Sequence, residues 1–263
     1  MLRWSINLFR VGGIQLSVHV SFLLLLTYYG YDGWQTGAGA GLCWSVGLVV
    51  LFFICVILHE LGHSLTAMRY GVKVPRILLL PIGGMAEFDR MPRKPSQELL
   101  ITIAGPAVNF VLAAILLPFT WQAVFGPEEV SGYTGENLLA QLFVANVIMG
   151  TFNLLPVFPM DGGRIFRALL ATKLPYLRAT YWAVLVGKIL ALAFALLAAF
   201  YFQRPLSYAL FLFIYWAGDA EYRQTLRHEE AARYWTEMSR RLREMESGSS
   251  EPPASTVTGS GPN

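Results

Sequence analysis

Apolar residues in this chain gather into long unbroken blocks. Residues 33–58, 99–125 and 137–160 contain no charged side chain. Each block exceeds the roughly 20 helical residues needed to cross a hydrocarbon core of about 30 Å, so each predicts a membrane-spanning helix. Three further runs are less uniform. Residues 16–31 include His19, 179–203 include Lys188, and 205–218 are too short to cross alone unless the helix continues into the polar stretch that follows. The pattern predicts an all-α membrane protein with six transmembrane helices and no internal repeat.

Composition agrees. Hydrophobic residues make up 55% of the chain and charged residues 14%, a balance outside that of ordinary soluble domains. The cations add an orientation. Of 20 lysines and arginines, 18 fall on segments that an even number of crossings assigns to one side. These include Arg3 and Arg10, six cations between Arg69 and Lys94, four between Arg164 and Arg178, and six arginines after Gly218. Arg204 lies opposite, and Lys188 lies within a span. By the positive-inside rule both termini are cytoplasmic. The net charge of +3 is thus a topology signature and gives no reason to expect a nucleic-acid partner. Cys43 and Cys55 show no metal or redox spacing. The first apolar run lacks a small-residue cleavage site and reads as a retained span.

Organisation follows from the same pattern. Residues 1–218 form the membrane domain. Residues 219–246 mix Arg and Glu with Leu226, Trp235, Met238 and Leu242, which predicts an amphipathic cytoplasmic helix. Residues 247–263 are too polar and too rich in Ser, Gly and Pro to build a core, and read as a disordered tail.

Chemistry concentrates at His59-Glu60-Leu61-Gly62-His63. On a helix, residues i and i+4 stand one above the other, so both imidazoles can converge on one metal ion. Glu60 is rotated from that line and can address a water without ligating the metal. The motif ends an uncharged block, and an ionisable group at membrane depth points by default to a functional site. A capping role at the membrane interface is the structural alternative. A third ligand is required. His228 lies in the charged tail, and His19 near the start of the first span suits an interfacial role at least as well. Asp161 is the best acidic candidate, because Pro156, Pro159 and Gly162-Gly163 interrupt an apolar segment around it, and broken helices at membrane depth line polar cavities.

Three motifs in this order, HELGH at 59–63, AGPAVN at 104–109 and NLLPVFPMDGG at 153–163, resemble the site-2 proteases of peptidase family M50. The resemblance covers about residues 1–218. It implies one Zn²⁺ per chain held by His59, His63 and Asp161, with Glu60 activating water and Asn109 holding substrate or stabilising the oxyanion. It also implies a three-helix catalytic core facing the cytoplasmic leaflet. Residues 78–88, around Gly83-Gly84, resemble the family's short extended membrane-associated loop. No space exists between the motifs for a PDZ domain, and the 45 residues after Gly218 are too few for paired CBS domains, so no nucleotide-sensing domain is expected. The layout is nearest the six-span sporulation type.

The function so implied is intramembrane peptide-bond hydrolysis in the transmembrane segment of a membrane-protein substrate, by family analogy a regulator such as an anti-sigma factor. Two rivals share part of the pattern. A membrane-anchored zinc protease acting on soluble chains would require a sizeable polar domain, which is missing between the motifs. A metal transporter or non-catalytic metal-binding scaffold would use the histidines and carboxylate but has no need of Glu60.

Overall fold

The computed structural model describes residues 4–89, 92–126, 132–202 and 205–249. Its elements in chain order are β1 (Ser5–Val11), β2 (Ile14–His19), α1 (Ser21–Arg69), β3 (Arg76–Leu80), β4 (Gly83–Glu87), α2 (Pro95–Phe125), α3 (Gly135–Asn153), α4 (Asp161–Ala171), α5 (Tyr176–Phe202) and α6 (Pro205–Ser249). The fold is mostly helical, but the all-α expectation is corrected by a four-stranded sheet of order β1-β2-β3-β4. β2 pairs parallel with β3, placing Leu16 opposite Ile77, while the two outer pairings are antiparallel.

β2 also corrects the first span, which starts at Ser21 and not at Leu16. The reason lies in the period. Ile14-Gln-Leu-Ser-Val-His19 alternates apolar and polar as a half-buried strand does. The apolar run that follows it hides this change of period. Ile14, Leu16 and Ile77 are buried against Ala67 of α1 and Ile101 of α2, so the sheet packs across the end of these two helices.

α1 is two helices, not one rod. Gly37 and Ala38 leave helical geometry, with Ala38 at φ 48°. Phe22 and Phe53, which a straight helix would hold roughly 46 Å apart, meet with ring centroids 4.6 Å apart. Residues 21–36 and 39–69 therefore run antiparallel as a hairpin. Gly33 and Gly41 allow its tight end, since a Cβ on Gly33 would lie 2.3 Å from the Gly41 carbonyl oxygen.

Among the described residues, three helices are long and apolar enough to cross a membrane: α1, α2 and residues Tyr176–Phe200 of α5. Their outward faces are apolar. Val111, Ile115 and Phe119 of α2, four residues apart, are all exposed on one stripe, where a soluble protein would place polar groups. α6 joins the short sixth apolar run and the polar stretch after it into one helix to Ser249. Residues 250–263, most of the stretch expected to form a tail, lie outside the described residues.

Candidate metal centre

Four elements build the site. Residues 39–69 of α1 carry His59 and His63 on one face and Glu60 on the next. α2 runs antiparallel beside them, and the contact is close because Gly62 has no side chain: a Cβ there would approach the Ala104 carbonyl oxygen to 2.7 Å. Small residues at such crossings let membrane helices pack backbone to backbone. α3 ends at Asn153, and the turns at 154–160 fold back onto the first turn of α4. Gly162 permits that return, since its Cβ would strike the carbonyl oxygens of Leu154 and Leu155 at 2.3 and 2.1 Å. Asp161 thereby enters the site as the first residue of α4.

Three ligand atoms converge. His59 Nε2 and His63 Nε2 are 3.1 Å apart, and Asp161 Oδ2 lies 3.3 and 3.1 Å from them. Both imidazoles are buried. The hydrogen bonds behind them fix their tautomers. Asn146 Nδ2 donates to the Leu142 carbonyl (2.8 Å), so its Oδ1 accepts from Asn109 Nδ2 (2.9 Å). Asn109 Oδ1 must then accept from His59 Nδ1 (2.6 Å). His63 Nδ1 likewise donates to the Ile101 carbonyl (2.8 Å). A neutral ring at either position therefore carries its proton on Nδ1 and turns a bare Nε2 lone pair towards the other ring and a carboxylate oxygen.

Three electron-rich atoms so close repel one another unless a cation lies between them. A tetrahedral zinc ion with bonds of about 2.0–2.2 Å sets its ligand atoms roughly 3.3–3.6 Å apart, close to the separations found. His59, His63 and Asp161 fit a divalent zinc ion, two nitrogens and one oxygen leaving a fourth position open.

Glu60 is not part of this group among the described residues. It lies beside β4, where a Cβ on Gly84 would come within 2.5 Å of its Cγ. Asn109, expected to face substrate, is fully buried, with both amide atoms engaged by His59 and Asn146. His19 accepts from the Ser21 backbone and contacts its hydroxyl at the start of α1, away from the metal group. His228 is exposed on α6. Lys188, the cation within a span, pairs with Asp219 and lies over the Tyr215 ring at 4.9 Å.

Several contributors were not among the candidates read from the sequence. Gly105 is one: a Cβ there would lie 2.1 Å from His63 Nε2 and 2.8 Å from His59 Nε2. The Ile101 carbonyl is a backbone group, and Asn146 lies in an apolar run with nothing to mark it. Only Gly105 was findable, as the glycine of AGPAVN beside a motif helix.

Fold and site together define a helical membrane protein with a buried two-histidine, one-carboxylate metal centre. The family model for peptidase family M50 matches residues 47–127 and 122–194. The chain belongs to that family. It is 41% identical over 223 residues to a zinc metalloprotease of Methanocaldococcus jannaschii, covering 84% of this chain and 62% of that protein. It is 30% identical over 132 residues to stage IV sporulation protein FB of Bacillus subtilis, covering 50% of this chain and 43% of that one. Among solved structures, a site-2 protease from Methanocaldococcus jannaschii matches with a TM-score of 0.58 at 39% identity, covering 83% of this chain and 95% of that chain.

Proposed function

We propose that the chain is an intramembrane zinc metalloprotease of the site-2 type, hydrolysing a peptide bond in or near the transmembrane segment of a membrane-protein substrate. The observation that carries this reading is the convergence of His59, His63 and Asp161 on one point below an apolar exterior, with Glu60 beside them and outside the ligand set. His59, His63 and Asp161 hold the zinc ion, which when bound acidifies water and polarises the scissile carbonyl.

The remaining steps belong to the chain's own groups. Glu60 accepts the proton of the attacking water and returns it to the leaving amine. Its place beside the Gly84 backbone puts the base next to an extended strand. Asn109 acts through His59, holding the ring's tautomer and direction, as outer hydrogen-bond partners of metal-ligating histidines do. An apolar cavity of about 670 Å³, bounded by Phe52, Ile148 and Pro81 among others, adjoins the helices and the β3–β4 turn and offers room for an apolar segment.

We further place six crossings, both termini on the cytoplasmic side, and a membrane-tethered regulator such as an anti-sigma factor as the substrate class. No observation favours transport, because Glu60 contributes nothing to ion coordination here. The test uses the full chain in nanodiscs and its Glu60→Gln variant, with a panel of tagged single-span proteins as substrates. Stoichiometric zinc in both, and cleavage only by the unmodified chain, is the expected result. Equal behaviour of the two chains would overturn the assignment.

A further inference from the structure

Asp161 is the ligand with the least obvious support. His59 is held through Asn109 and His63 through the Ile101 carbonyl, and both of those partners belong to α2. The carboxylate arrives instead on α4, a separate helix of 11 residues. Something must set the position of α4 against α2 if three ligands are to meet at one point.

α2 supplies a third fixture. Glu98, three residues before Ile101 and in the first turn of α2, is fully buried. Its Oε1 accepts from Arg167 Nε (2.9 Å) and Nη2 (2.5 Å), and Arg167 is a residue of α4. Arg167 Nη1 donates to Glu221 of α6 (2.7 Å), and the guanidinium lies over the rings of Phe158 and Tyr176. A planar donor fork held by two carboxylates and two rings has little rotational freedom left. Asp161 and Arg167 are six residues apart, about 9 Å along one rigid helix. Fixing the second fixes the first.

Stability is a poor explanation for this pair. Desolvating two charges costs several kcal/mol, and apolar replacements of similar volume are often neutral or better. Glu98 Oε2 is moreover buried without a hydrogen-bond partner. Such an arrangement is retained for geometry. We infer that the buried Glu98–Arg167 pair is the positioning element for Asp161, so that α2 sets the place of all three metal ligands. The inference rests on the zinc-site assignment above.

Zinc affinity and the visible spectrum of the Co²⁺-substituted protein are measured for the full chain, Asp161→Asn, and the paired variant Glu98→Leu/Arg167→Met, with thermal midpoints in the same detergent. The paired variant is expected to keep the thermal midpoint, bind zinc about 10–100-fold more weakly, and give a Co²⁺ spectrum shifted towards that of Asp161→Asn. Unchanged affinity and spectrum in the paired variant, with Asp161→Asn impaired, would overturn the positioning role alone. Unimpaired Asp161→Asn would overturn the zinc site itself. Should the paired variant not fold, Arg167→Lys is read the same way, since it keeps the charge and loses the fork. Normal zinc affinity there counts against the inference, and weakened binding at a normal midpoint supports it.

Discussion

At the level of single residues, two glycines border the two parts of the proposed chemistry, the metal ligands and the base. Gly105 faces the imidazoles, and Gly84 faces Glu60. Gly105→Ala adds a methyl group where His63 Nε2 already lies 2.1 Å away, so the ring must move. Zinc affinity is expected to fall at least about tenfold, measured by competition with a chromophoric chelator. Gly84→Ala pushes instead on the Glu60 side chain. Zinc affinity should hold while turnover drops on the order of 100-fold, the scale that follows from misplacing a catalytic group by about 1 Å. If both variants lose zinc equally, the two glycines do not serve separate functions. The proposed metal ligands and base stand in HELGH and DGG, where helical spacing brings His59 and His63 to one face and turns Glu60 away from it. The fixtures behind them were only partly legible: AGPAVN holds Asn109 and Gly105 without showing that they act on the imidazoles, and the Ile101 carbonyl and Asn146 act only through neighbours distant in sequence.

At the level of elements, the helical blocks were legible and the sheet was not. Twenty uncharged residues announce a helix, yet the block 137–160 is helical only to Asn153 and is not among the three helices long and apolar enough to cross a membrane. Strands β1 and β2 total only 13 residues, and β2 runs straight into an apolar helix that masks its alternation. The hairpin inside α1 was legible as two separate apolar runs, 16–31 and 33–58, but its turn falls a few residues later than the division between them, at Gly37-Ala38. That turn carries a cost. Ala38 holds φ 48°, a conformation that a residue with a Cβ adopts at a penalty of about 1–3 kcal/mol. Ala38→Gly relieves this strain and gives back part of the gain as chain entropy, about 0.4–1 kcal/mol. A net rise in the thermal midpoint, with zinc affinity unaltered, is the expected outcome. Gly33→Ala acts oppositely, forcing a Cβ to within 2.3 Å of the Gly41 oxygen. Overpacking of this kind costs about 1–3 kcal/mol and should lower the midpoint in the same assay.

For the whole molecule the open question is which way it faces. The site geometry sets a chain of directions. The α1 hairpin brings Phe53 back to the level of Phe22 and carries residue 69 about 24 Å further the same way, and α2 runs antiparallel to 39–69, as the pairings His63–Ile101 and His59–Asn109 require. The sheet, the start of α2 and the ligand-bearing motifs therefore share one end of the bundle, while the hairpin tip and the start of α3 share the other. Tyr133 beside Trp44 fixes that second end. The cations divide the same way, with Lys73, Arg76 and Lys94 at the sheet end. In the orientation proposed above, the positive-inside rule sets the metal group near the cytoplasmic face, where water can reach a site enclosed by apolar helices. With Cys43 and Cys55 replaced by alanine, single cysteines at exposed Lys73 and Glu230 should react with an impermeant maleimide only after the membrane is opened. One at exposed Glu136 should react on intact cells. The reverse pattern would place the active site on the outer face and exclude cytoplasmic release of the cleaved regulator.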